Sequence, residues 1–242
     1  MIEAVSMERP FSQIPREARN LAVIMDGNGR WAERRGLPVA EGHRAGTKAL
    51  RRTVEAAIDL GVQSLAVYAF STENWSRSPD EVEDLMAIFA ETIDRELPEL
   101  SAQGVRTRFI GRRDRAPAEL RRKMEETEAL TAANDRLRLW IAFDYGGRAE
   151  LVDAVRALVA DGVPADDVDE EALRARLYAP EMPDPDLLVR TSGEERISNF
   201  LLWQVAYAEL VFVDTLWPDF GEDDLRGALE EYAGRQRRFG GR

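Results

Sequence analysis

Short apolar runs alternate along this chain of 242 residues with longer segments of helical spacing. Six apolar runs are typical of buried strands: residues 21–25, 64–70, 105–110, 137–143, 187–190 and 210–213. Apolar residues three and four positions apart predict helices at 45–60, 79–97, 117–133, 149–160, 170–177 and 222–238. The alternation predicts an α/β fold, one domain over residues 21–242 with a mostly parallel six-stranded sheet flanked by helices. Residues 1–20 are expected to be a flexible N-terminal segment.

A polar loop follows four of the six predicted strands. The loops are Asp-Gly-Asn-Gly-Arg-Trp at 26–31, Ser-Thr-Glu-Asn-Trp at 71–75, Asp-Tyr-Gly-Gly-Arg at 144–148 and Arg-Thr-Ser-Gly-Glu at 190–194. Open α/β sheets bind ligands at the carboxyl ends of their strands, where such loops meet. The sequence therefore predicts one composite site, built from segments that are far apart in the chain.

The first of these loops combines groups that suit a phosphate and a metal. Gly27 and Gly29 allow the backbone to approach a ligand and present N–H groups to it. Arg30 can donate two hydrogen bonds to phosphate oxygens. Asp26 has the wrong charge for a plain phosphate cradle, so we expect it to hold a divalent metal or to take part in proton chemistry. Asp-Gly-Asn-Gly alone would be an ordinary turn; the other loops favour the functional interpretation.

Composition limits the classes of function. A net charge of -12 argues against a nucleic-acid binder that works through bulk charge, so an anionic ligand must find a local cluster of cations. Because all cations but Lys48 and Lys123 are arginine, a single arginine is weak evidence for function. The absence of cysteine excludes disulfides, thiol nucleophiles and cysteine-based zinc sites. No apolar run reaches the length of a membrane span and no signal peptide is evident, which predicts a soluble cytoplasmic protein.

His43 is the only histidine of the chain. It stands beside Arg44, about one residue before the predicted helix at 45–60, where it could hold a phosphate oxygen. A lone histidine is more often structural. A metal site made of several histidines and a Ser-His-Asp triad with another histidine are both excluded.

Three arginines follow or lie within the polar loops: Arg77, Arg190 and Arg196. Together they suggest a place for diphosphate charge, since a guanidinium can bind phosphate oxygens through two hydrogen bonds. Glu209 comes just before the last predicted strand. It is either a carboxylate on an edge strand or a second metal ligand that faces Asp26.

The predicted helix at 79–97 carries an apolar stripe at helical spacing: Val82, Leu85, Met86, Phe89 and Ile93. Such a stripe is ordinarily core, but here it follows a polar loop and could also form the wall of an apolar channel. Trp31 and Trp75 lie in polar loops and are harder to explain as core. We interpret them as aromatic walls or anchors.

Taken together, these residues resemble the cis-prenyltransferase family, of the undecaprenyl diphosphate synthase or isoprenyl transferase type. The matching stretches are residues 25–31, 42–46, 68–75, 144–148, 190–194, 196–200, 217–220 and 237–241. The resemblance implies a Mg²⁺-dependent homodimer with an apolar tunnel. Such an enzyme adds isopentenyl diphosphate to an allylic diphosphate primer, farnesyl or geranyl diphosphate, and gives a Z-polyprenyl diphosphate. Contact with a membrane would be transient, for release of the lipid product.

The resemblance also implies residue roles. Asp26 would position Mg²⁺ and the departing diphosphate, with Glu209 completing the metal site. Asn74 would take part in proton removal, unless the diphosphate or a water takes the proton. The substrate-binding residues would be Gly27, Asn28, Gly29, Arg30, Trp31, His43, Ser71, Thr72, Glu73, Trp75, Arg77, Arg190, Arg196, Ile197 and Ser198. The segment 238–240 resembles a tail that reaches across the dimer.

One departure from the family pattern keeps alternatives open. Val39 stands where the family usually carries an arginine, and Arg34, Arg35 or Arg44 could compensate. Without compensation the chain could be a short-chain or irregular prenyl diphosphate synthase. A non-catalytic partner subunit is a further alternative, which the presence of Asp26 argues against. A nucleotide-binding module lacks support, because the chain has neither a Walker loop nor a Gly-x-Gly-x-x-Gly fingerprint. Product length and primer preference depend on tunnel depth.

Overall fold

The computed structural model describes residues 18–235. The strands are β1 (Asn20–Ile24), β2 (Ser64–Tyr68), β3 (Val105–Ile110), β4 (Leu137–Ala142), β5 (Leu187–Arg190) and β6 (Glu209–Phe212). The α-helices are α1 (Asn28–Glu33), α2 (Val39–Asp59), α3 (Pro79–Ala102), α4 (Ala118–Leu130), α5 (Gly147–Ala160), α6 (Glu170–Arg174) and α7 (Glu222–Gly234). Short 3-10 turns form at Thr72–Ser76, Ala165–Asp167 and Trp217–Asp219. Most of the predicted flexible segment, residues 1–17, and the predicted tail at 238–240 lie outside the described residues.

All six strands run parallel, in the order β3-β4-β2-β1-β5-β6. The predicted six-stranded sheet flanked by helices is confirmed. Ile24 pairs in register with both Tyr68 and Arg190, and Tyr68 pairs with Ala142. The four central strands β4, β2, β1 and β5 therefore end at the same edge. The four polar loops are the segments that follow these strands.

Alternating side chains of each strand pack on opposite faces of the sheet. Leu21 and Val23 of β1 belong to a large core that also takes residues from α2, α3, α4 and α7. Ala22 and Ile24 belong to a second core with Tyr145 and residues of the segment 197–208. Because both faces are covered at the centre of the sheet, β1 and β2 are apolar almost throughout. The edge strand β3 instead alternates, with Arg106 and Arg108 only partly buried.

Two helices differ from the sequence prediction in ways that matter for the site. α2 begins at Val39, six residues before the predicted start, with Pro38 as its N-cap. The first residues of α2 are mostly exposed and carry no apolar pattern, so periodicity could not reveal them. α3 continues past Pro98 to Ala102. Proline removes one helical hydrogen bond, but Leu97 and Leu100 on either side of it are buried in the core and hold the last turns.

Candidate active site

Asp26 and Arg190 form the centre of the edge where the polar loops meet. Arg190 is 4% exposed, and its Nη2 donates to Asp26 Oδ2 over 2.8 Å. The Asp26 backbone is fixed by Thr191, whose hydroxyl accepts from the Asp26 N–H at 2.9 Å and donates to the Asp26 carbonyl at 2.6 Å. The Trp217 N–H also donates to that carbonyl, at 3.0 Å. The carboxylate is therefore held in place by residues of β5 and of the segments after β5 and β6.

Two guanidinium groups keep the Asp26 carboxyl ionised. Partial burial alone would raise its pKa, but the hydrogen bond and charge of Arg190 and the charge of Arg30 together lower the pKa below its ordinary value. Arg30 Nη2 lies 3.4 Å from Asp26 Oδ1, and the Asp26 side chain is 30% exposed. Asp26 is thus an anion at neutral pH with one side open to a ligand.

Arg30 connects the first loop to the loop after β5. Its Nη2 donates to Ser192 Oγ at 2.6 Å, its Nη1 donates to the Ser192 carbonyl at 3.1 Å, and Nη1 also lies 3.5 Å from Glu194 Oε1. Ser192 and Glu194 were not singled out as site residues from the sequence. The available signal was their place in the motif at 190–194, directly after Arg190.

Arg190 also reaches the next part of the same loop. Its Nη1 donates to the Arg196 carbonyl at 2.5 Å and to Ser198 Oγ at 2.7 Å. The Arg196 side chain is exposed and pairs with Glu194. Ile197 packs against the core on the second face of the sheet. Arg190 therefore joins Asp26 to the segment 196–198, and these predicted site residues lie together.

A groove of about 380 Å³ runs beside the first loop, which we call the polar groove. Its lining is Met25, Asp26, Gly27, Asn28, Gly29, Arg30, Val39, His43, Arg77 and Glu81. Within it, Arg77 Nη1 pairs with Glu81 Oε1 at 2.6 Å. The groove thus gathers most of the residues expected to bind an allylic diphosphate, and Val39 lies among them.

His43 lies inside α2, a full turn beyond its first residue Val39, so the predicted place just ahead of a helix is wrong. Burial, together with the charge of Arg77, lowers the pKa of His43 to about 4. The imidazole is therefore neutral at pH 7. Its Nε2 is buried and has no hydrogen-bond partner within residues 18–235. His43 can offer a ligand a neutral hydrogen bond, without adding positive charge.

An apolar cavity of about 90 Å³ lies between α2 and α3, against the sheet, and we call it the apolar cavity. Its walls include Leu85, Phe89 and Ile93 of the predicted stripe. The other two stripe residues, Val82 and Met86, line a separate surface groove beside Trp75. Leu85, Met86 and Ile93 are buried in the large core and Phe89 packs against it, so the stripe is core that also borders a cavity and a surface groove. A tunnel as long as a polyprenyl chain stays a prediction.

The polar groove and the apolar cavity share a wall. Met25, Asn28 and His43 line both. Close packing of the first loop on α2 makes this possible: a Cβ at Gly42 would lie 2.2 Å from the Asn28 carbonyl oxygen, and one at Gly46 would lie 2.4 Å from Asn28 Oδ1. Position 42 therefore requires glycine, because the atom it meets is backbone, and a side chain at position 46 would displace the Asn28 amide. A charged groove therefore adjoins an apolar pocket, with Asn28 at the junction.

The loop 71–77 is shaped by its own hydrogen bonds. The Ser71 N–H donates to Asn74 Oδ1 at 2.9 Å, closing the 3-10 turn. Trp75 packs edge-on against Phe70 with ring centroids 5.1 Å apart. The Arg115 guanidinium lies 4.9 Å from the centre of the Trp75 ring and also pairs with the fully buried Asp144. Arg115 is a contact that no sequence motif indicated.

Residues 24–240 match the family model for undecaprenyl diphosphate synthases. The chain belongs to this family. The resemblance to cis-prenyltransferases, the α/β fold and the class of transferase are therefore confirmed.

Three relatives show how closely the chain follows the family. It is 51% identical to a ditrans,polycis-undecaprenyl-diphosphate synthase ((2E,6E)-farnesyl-diphosphate specific) of Xanthomonas axonopodis pv. citri, over 92% of this chain and 88% of that one. It is 51% identical to a trans,polycis-polyprenyl diphosphate synthase ((2Z,6E)-farnesyl diphosphate specific) of Thermobifida fusca, over 95% and 83%. The crystal structure of lavandulyl diphosphate synthase from Lavandula x intermedia, in complex with dimethylallyl diphosphate, superposes with a TM-score of 0.88 at 38% identity. That match covers 92% of this chain and 98% of the lavandulyl enzyme.

Of two further residues predicted to bind substrate, Gly29 lines the polar groove and Trp31 does not. The Trp31 indole N–H donates to Asp219 Oδ1 at 2.6 Å, and Arg35 lies 4.1 Å over its ring, so Trp31 fastens α1 to the Trp217–Asp219 turn. Gly29 lines the polar groove, but a Cβ there would meet nothing within 4 Å. Gly27 does require glycine, because its φ is +112° and a Cβ would lie 2.9 Å from Leu216 Cδ2.

Glu209 is not brought to Asp26 within the chain. Glu209 is the first residue of β6 and is level with Leu187 of β5, which in turn is level with Leu21 of β1. Asp26 lies five residues beyond Leu21 along the chain. At about 3.3 Å per residue the two carboxylates are separated by roughly 16 Å along the strands. Glu209 instead pairs with Arg235 at 2.9 Å. The expectation that Glu209 faces Asp26 fails within a single chain. Glu209 lies at the start of β6, whereas Asp26 lies just after the end of β1.

The arginines expected to compensate for Val39 do not line the polar groove. Arg35 is engaged with Trp31 and Asp219. Arg44 pairs with Glu41 at 2.9 Å and lies 3.7 Å from Glu91. Among the described residues, the groove therefore holds two arginines, Arg30 and Arg77, where the family pattern would supply three.

Proposed function

We propose that the protein transfers an allylic prenyl group, with farnesyl diphosphate as the preferred primer, to isopentenyl diphosphate and so forms a Z-polyprenyl diphosphate. The observation that carries this proposal is the wall shared by the polar groove and the apolar cavity. A molecule with an anionic head and an apolar tail fits such a pair of spaces. The farnesyl primer is supported by the names of the bacterial relatives.

In this proposal the edge of the sheet divides into two halves. The allylic half is the polar groove, where Arg30, Arg77, the neutral His43 and the amide of Asn28 bind the primer diphosphate while its tail enters the apolar cavity. The isopentenyl half is built from Arg190, Arg196 and Ser198. Their proximity is supported by the hydrogen bonds of Arg190 to the other two.

The reaction breaks the allylic C–O bond and leaves its electron pair on the diphosphate. The double bond of isopentenyl diphosphate attacks the allylic carbon, and a proton then leaves to restore a double bond. Arg30, Arg77 and the N–H groups of the first loop stabilise the charge that develops on the leaving diphosphate. The apolar walls beyond Asn28 keep water from the electron-poor carbon.

Asp26 suits a Mg²⁺ ion shared with substrate phosphates, because Mg²⁺ usually takes only one or two protein carboxylates. In residues 18–235 no three His, Cys, Asp or Glu side chains lie close enough together to form a metal cage. When bound, the ion would neutralise charge on the diphosphate. Asp26 would hold it and Arg190 would keep Asp26 oriented. Glu209 could join this site only from another chain.

Asn74 is better placed to orient a substrate than to remove a proton. Its Oδ1 accepts the Ser71 N–H, and the rest of its amide is an NH₂ donor with no basic character. We therefore assign the proton to an oxygen of the departing diphosphate. Asn74 would hold that diphosphate or the isopentenyl group in position.

A short-chain product is the second candidate. It is favoured by Val39, which leaves the polar groove with two arginines where the family pattern would supply three. The apolar cavity lies between α2 and α3, so the spacing of these two helices would limit the length of the product.

A homodimer is also part of the proposal. Val152, Val155 and Val159 are 48%, 50% and 74% exposed and share one face of α5, and Tyr207 is 85% exposed. Surface apolar groups of this kind suit contact with a second copy. No described helix is long and apolar enough to cross a membrane. Cytoplasmic location and transient membrane contact remain predictions.

One assay tests the proposal. Purified protein is mixed with Mg²⁺, labelled isopentenyl diphosphate and primers of five, ten, fifteen or twenty carbons, and the extracted lipid is sized. We expect a ladder or a single long product, with the fifteen-carbon primer used best. One fixed short product would favour the second candidate. No extractable product from any primer would refute the enzyme assignment.

A further inference from the structure

Asn199 joins the two halves of the proposed site and has no part in the roles assigned so far. Its Nδ2 donates to Glu73 Oε1 at 2.9 Å, which reaches the loop 71–77. Its Oδ1 accepts from the Arg148 N–H at 2.8 Å, and its backbone carbonyl accepts from the Gly147 N–H at 2.7 Å. These partners determine the orientation of the Asn199 amide, because the Arg148 N–H needs an acceptor and the Glu73 carboxylate needs a donor.

The backbone around Asn199 is shaped to make this contact. Asn199 has φ +64° and Ser198 has φ +45°, both in the left-handed region that asparagine tolerates better than most residues. The approach is close: a Cβ at Gly146 would lie 2.6 Å from Thr72 Oγ1 and 2.8 Å from Asn199 Nδ2. Only glycine at position 146 lets the loops 71–77 and 196–200 meet at this point.

Both loops rest on the start of α5, which is itself fixed. The Thr72 N–H donates to the Tyr145 carbonyl at 2.9 Å. The hydroxyl of Tyr145 and the amide of Gln204 both donate to Glu150, a buried residue of α5. Asn199 therefore ties its own loop to a rigid support that the other loop also uses.

We propose that Asn199 is a positioning residue, which sets the distance between the two substrates by holding the loop 71–77 against the loop 196–200. This rests on the proposed function, in which Arg77 of the loop 71–77 serves the primer side and Arg196 and Ser198 serve the isopentenyl side. Transfer requires the two reacting carbons to be held close and aligned, and small misplacements cost large factors in rate.

The electrostatics of Glu73 fit this contact. Burial would raise the pKa of Glu73, but the hydrogen bond from Asn199, together with local hydrogen bonds, lowers it below the ordinary value. The carboxylate that Asn199 contacts is therefore ionised at neutral pH, and a charged acceptor strengthens the hydrogen bond between the loops.

The test first breaks the Asn199–Glu73 hydrogen bond and then restores it with donor and acceptor exchanged. Asn199→Asp keeps an oxygen for the Arg148 N–H but places a carboxylate against Glu73. We expect kcat to fall at least tenfold, while KM for each substrate changes less than threefold. Glu73→Gln alone is the reference for the double variant, because Glu73 is itself a predicted substrate-binding residue and Asn199 can still donate to the new side-chain carbonyl. In the double variant the amide introduced by Glu73→Gln can donate to the carboxylate introduced by Asn199→Asp, so kcat should return to within threefold of the Glu73→Gln value.

Gln63→Glu is the matched control, since it makes the same amide-to-acid change at the opposite end of the sheet. It should leave kcat unchanged. The melting temperature of each variant is measured in parallel. If the role of Asn199 were purely structural, Asn199→Asp would lower the melting temperature, and kcat would not fall more than KM changes. Wild-type kcat in Asn199→Asp, or no recovery in the double variant, would overturn the inference. If the wild-type protein itself forms no product, the proposed function fails instead, so the two failures are distinguishable.

Discussion

The proposed isopentenyl and allylic halves of the site are built in different ways. In the isopentenyl half, Arg190 is buried and already donates to Asp26, to the Arg196 carbonyl and to Ser198. In the allylic half, Arg77 is exposed and pairs with Glu81, while Val39 contributes no charge. One half is assembled around a buried cation, and the other around surface cations that also have acidic neighbours.

The difference indicates where binding and orientation originate. A guanidinium fixed by several acceptors needs little rearrangement, so the isopentenyl half should tolerate substitution poorly. The allylic half must exchange the Arg77–Glu81 contact for contacts with phosphate, and its affinity should be easier to adjust. Four substitutions test this contrast, from the largest expected effect to the smallest.

Asp26→Ala should have the largest effect, because Asp26 contacts cations of both halves, Arg30 and Arg190. We expect kcat to fall by about a thousandfold or more, as charge stabilisation at the leaving group is lost. Circular dichroism should show a folded protein. Asp26→Asn is the control, since it keeps an oxygen for Arg190; it should be as inactive as Asp26→Ala but closer to wild type in melting temperature. An unfolded Asp26→Ala protein would mean that Asp26 is chiefly structural.

Arg190→Lys should come next, because a single ammonium cannot span three acceptors. The expected result is a rise in KM for isopentenyl diphosphate of about tenfold or more and a loss of about 2–4 kcal/mol in the free energy of unfolding. Arg196→Lys is the matched control in the same half. Arg196 is exposed, so its stability should change by less than about 0.5 kcal/mol. Equal effects from both substitutions would remove the contrast between buried and exposed arginines.

His43→Gln probes the uncharged part of the allylic half. With a pKa of about 4 in the folded state and an ordinary value of 6.5, the unfolded chain binds more protons between these pH values. Wild-type stability should therefore fall through this histidine as pH drops from 6.5 to about 4, by roughly 2 kcal/mol. Denaturant unfolding at pH 7 and at about pH 4.5 measures the loss, which should be smaller in the variant. Parallel losses in both proteins would show that His43 is not buried in its neutral form.

Val39→Arg should have the smallest effect and the opposite direction. A third cation in the polar groove is expected to lower KM for the primer by about fivefold, the equivalent of roughly 1 kcal/mol from one charged contact. KM for isopentenyl diphosphate should not change. Val39→Gln adds a polar group of similar reach without charge and should resemble wild type. No change in primer KM would mean that Arg30 and Arg77 already supply what the groove needs.

The sequence predicted the fold well, because buried parallel strands leave continuous apolar runs and the polar loops directly follow them. It was less informative where no periodicity exists. The exposed first turn of α2 carries no apolar pattern, so His43 was placed outside the helix that contains it.

The site residues that could be predicted were those whose position follows from the order and direction of the strands. Loops after the four central strands could be placed together from topology, and the contact between Asp26 and Arg190 agrees with that. Glu209 was expected at the same site, although it comes just before the last predicted strand. In a parallel sheet the start of a strand lies at the opposite end from these loops, so the same topological argument places Glu209 away from Asp26. Trp31, Arg115 and Asn199 depend on contacts between distant segments, which no local pattern encodes.

Pro98 within α3 has a consequence beyond local geometry. It removes one backbone hydrogen bond from a helix whose residues Leu85, Phe89 and Ile93 line the apolar cavity. A helix weakened at one turn bends there more readily than elsewhere. In the proposed function, the space for a lengthening lipid would then depend on the stiffness of α3 as well as on the size of its side chains. Substitutions near Pro98 that never meet the lipid would therefore change the number of isoprene units in the product.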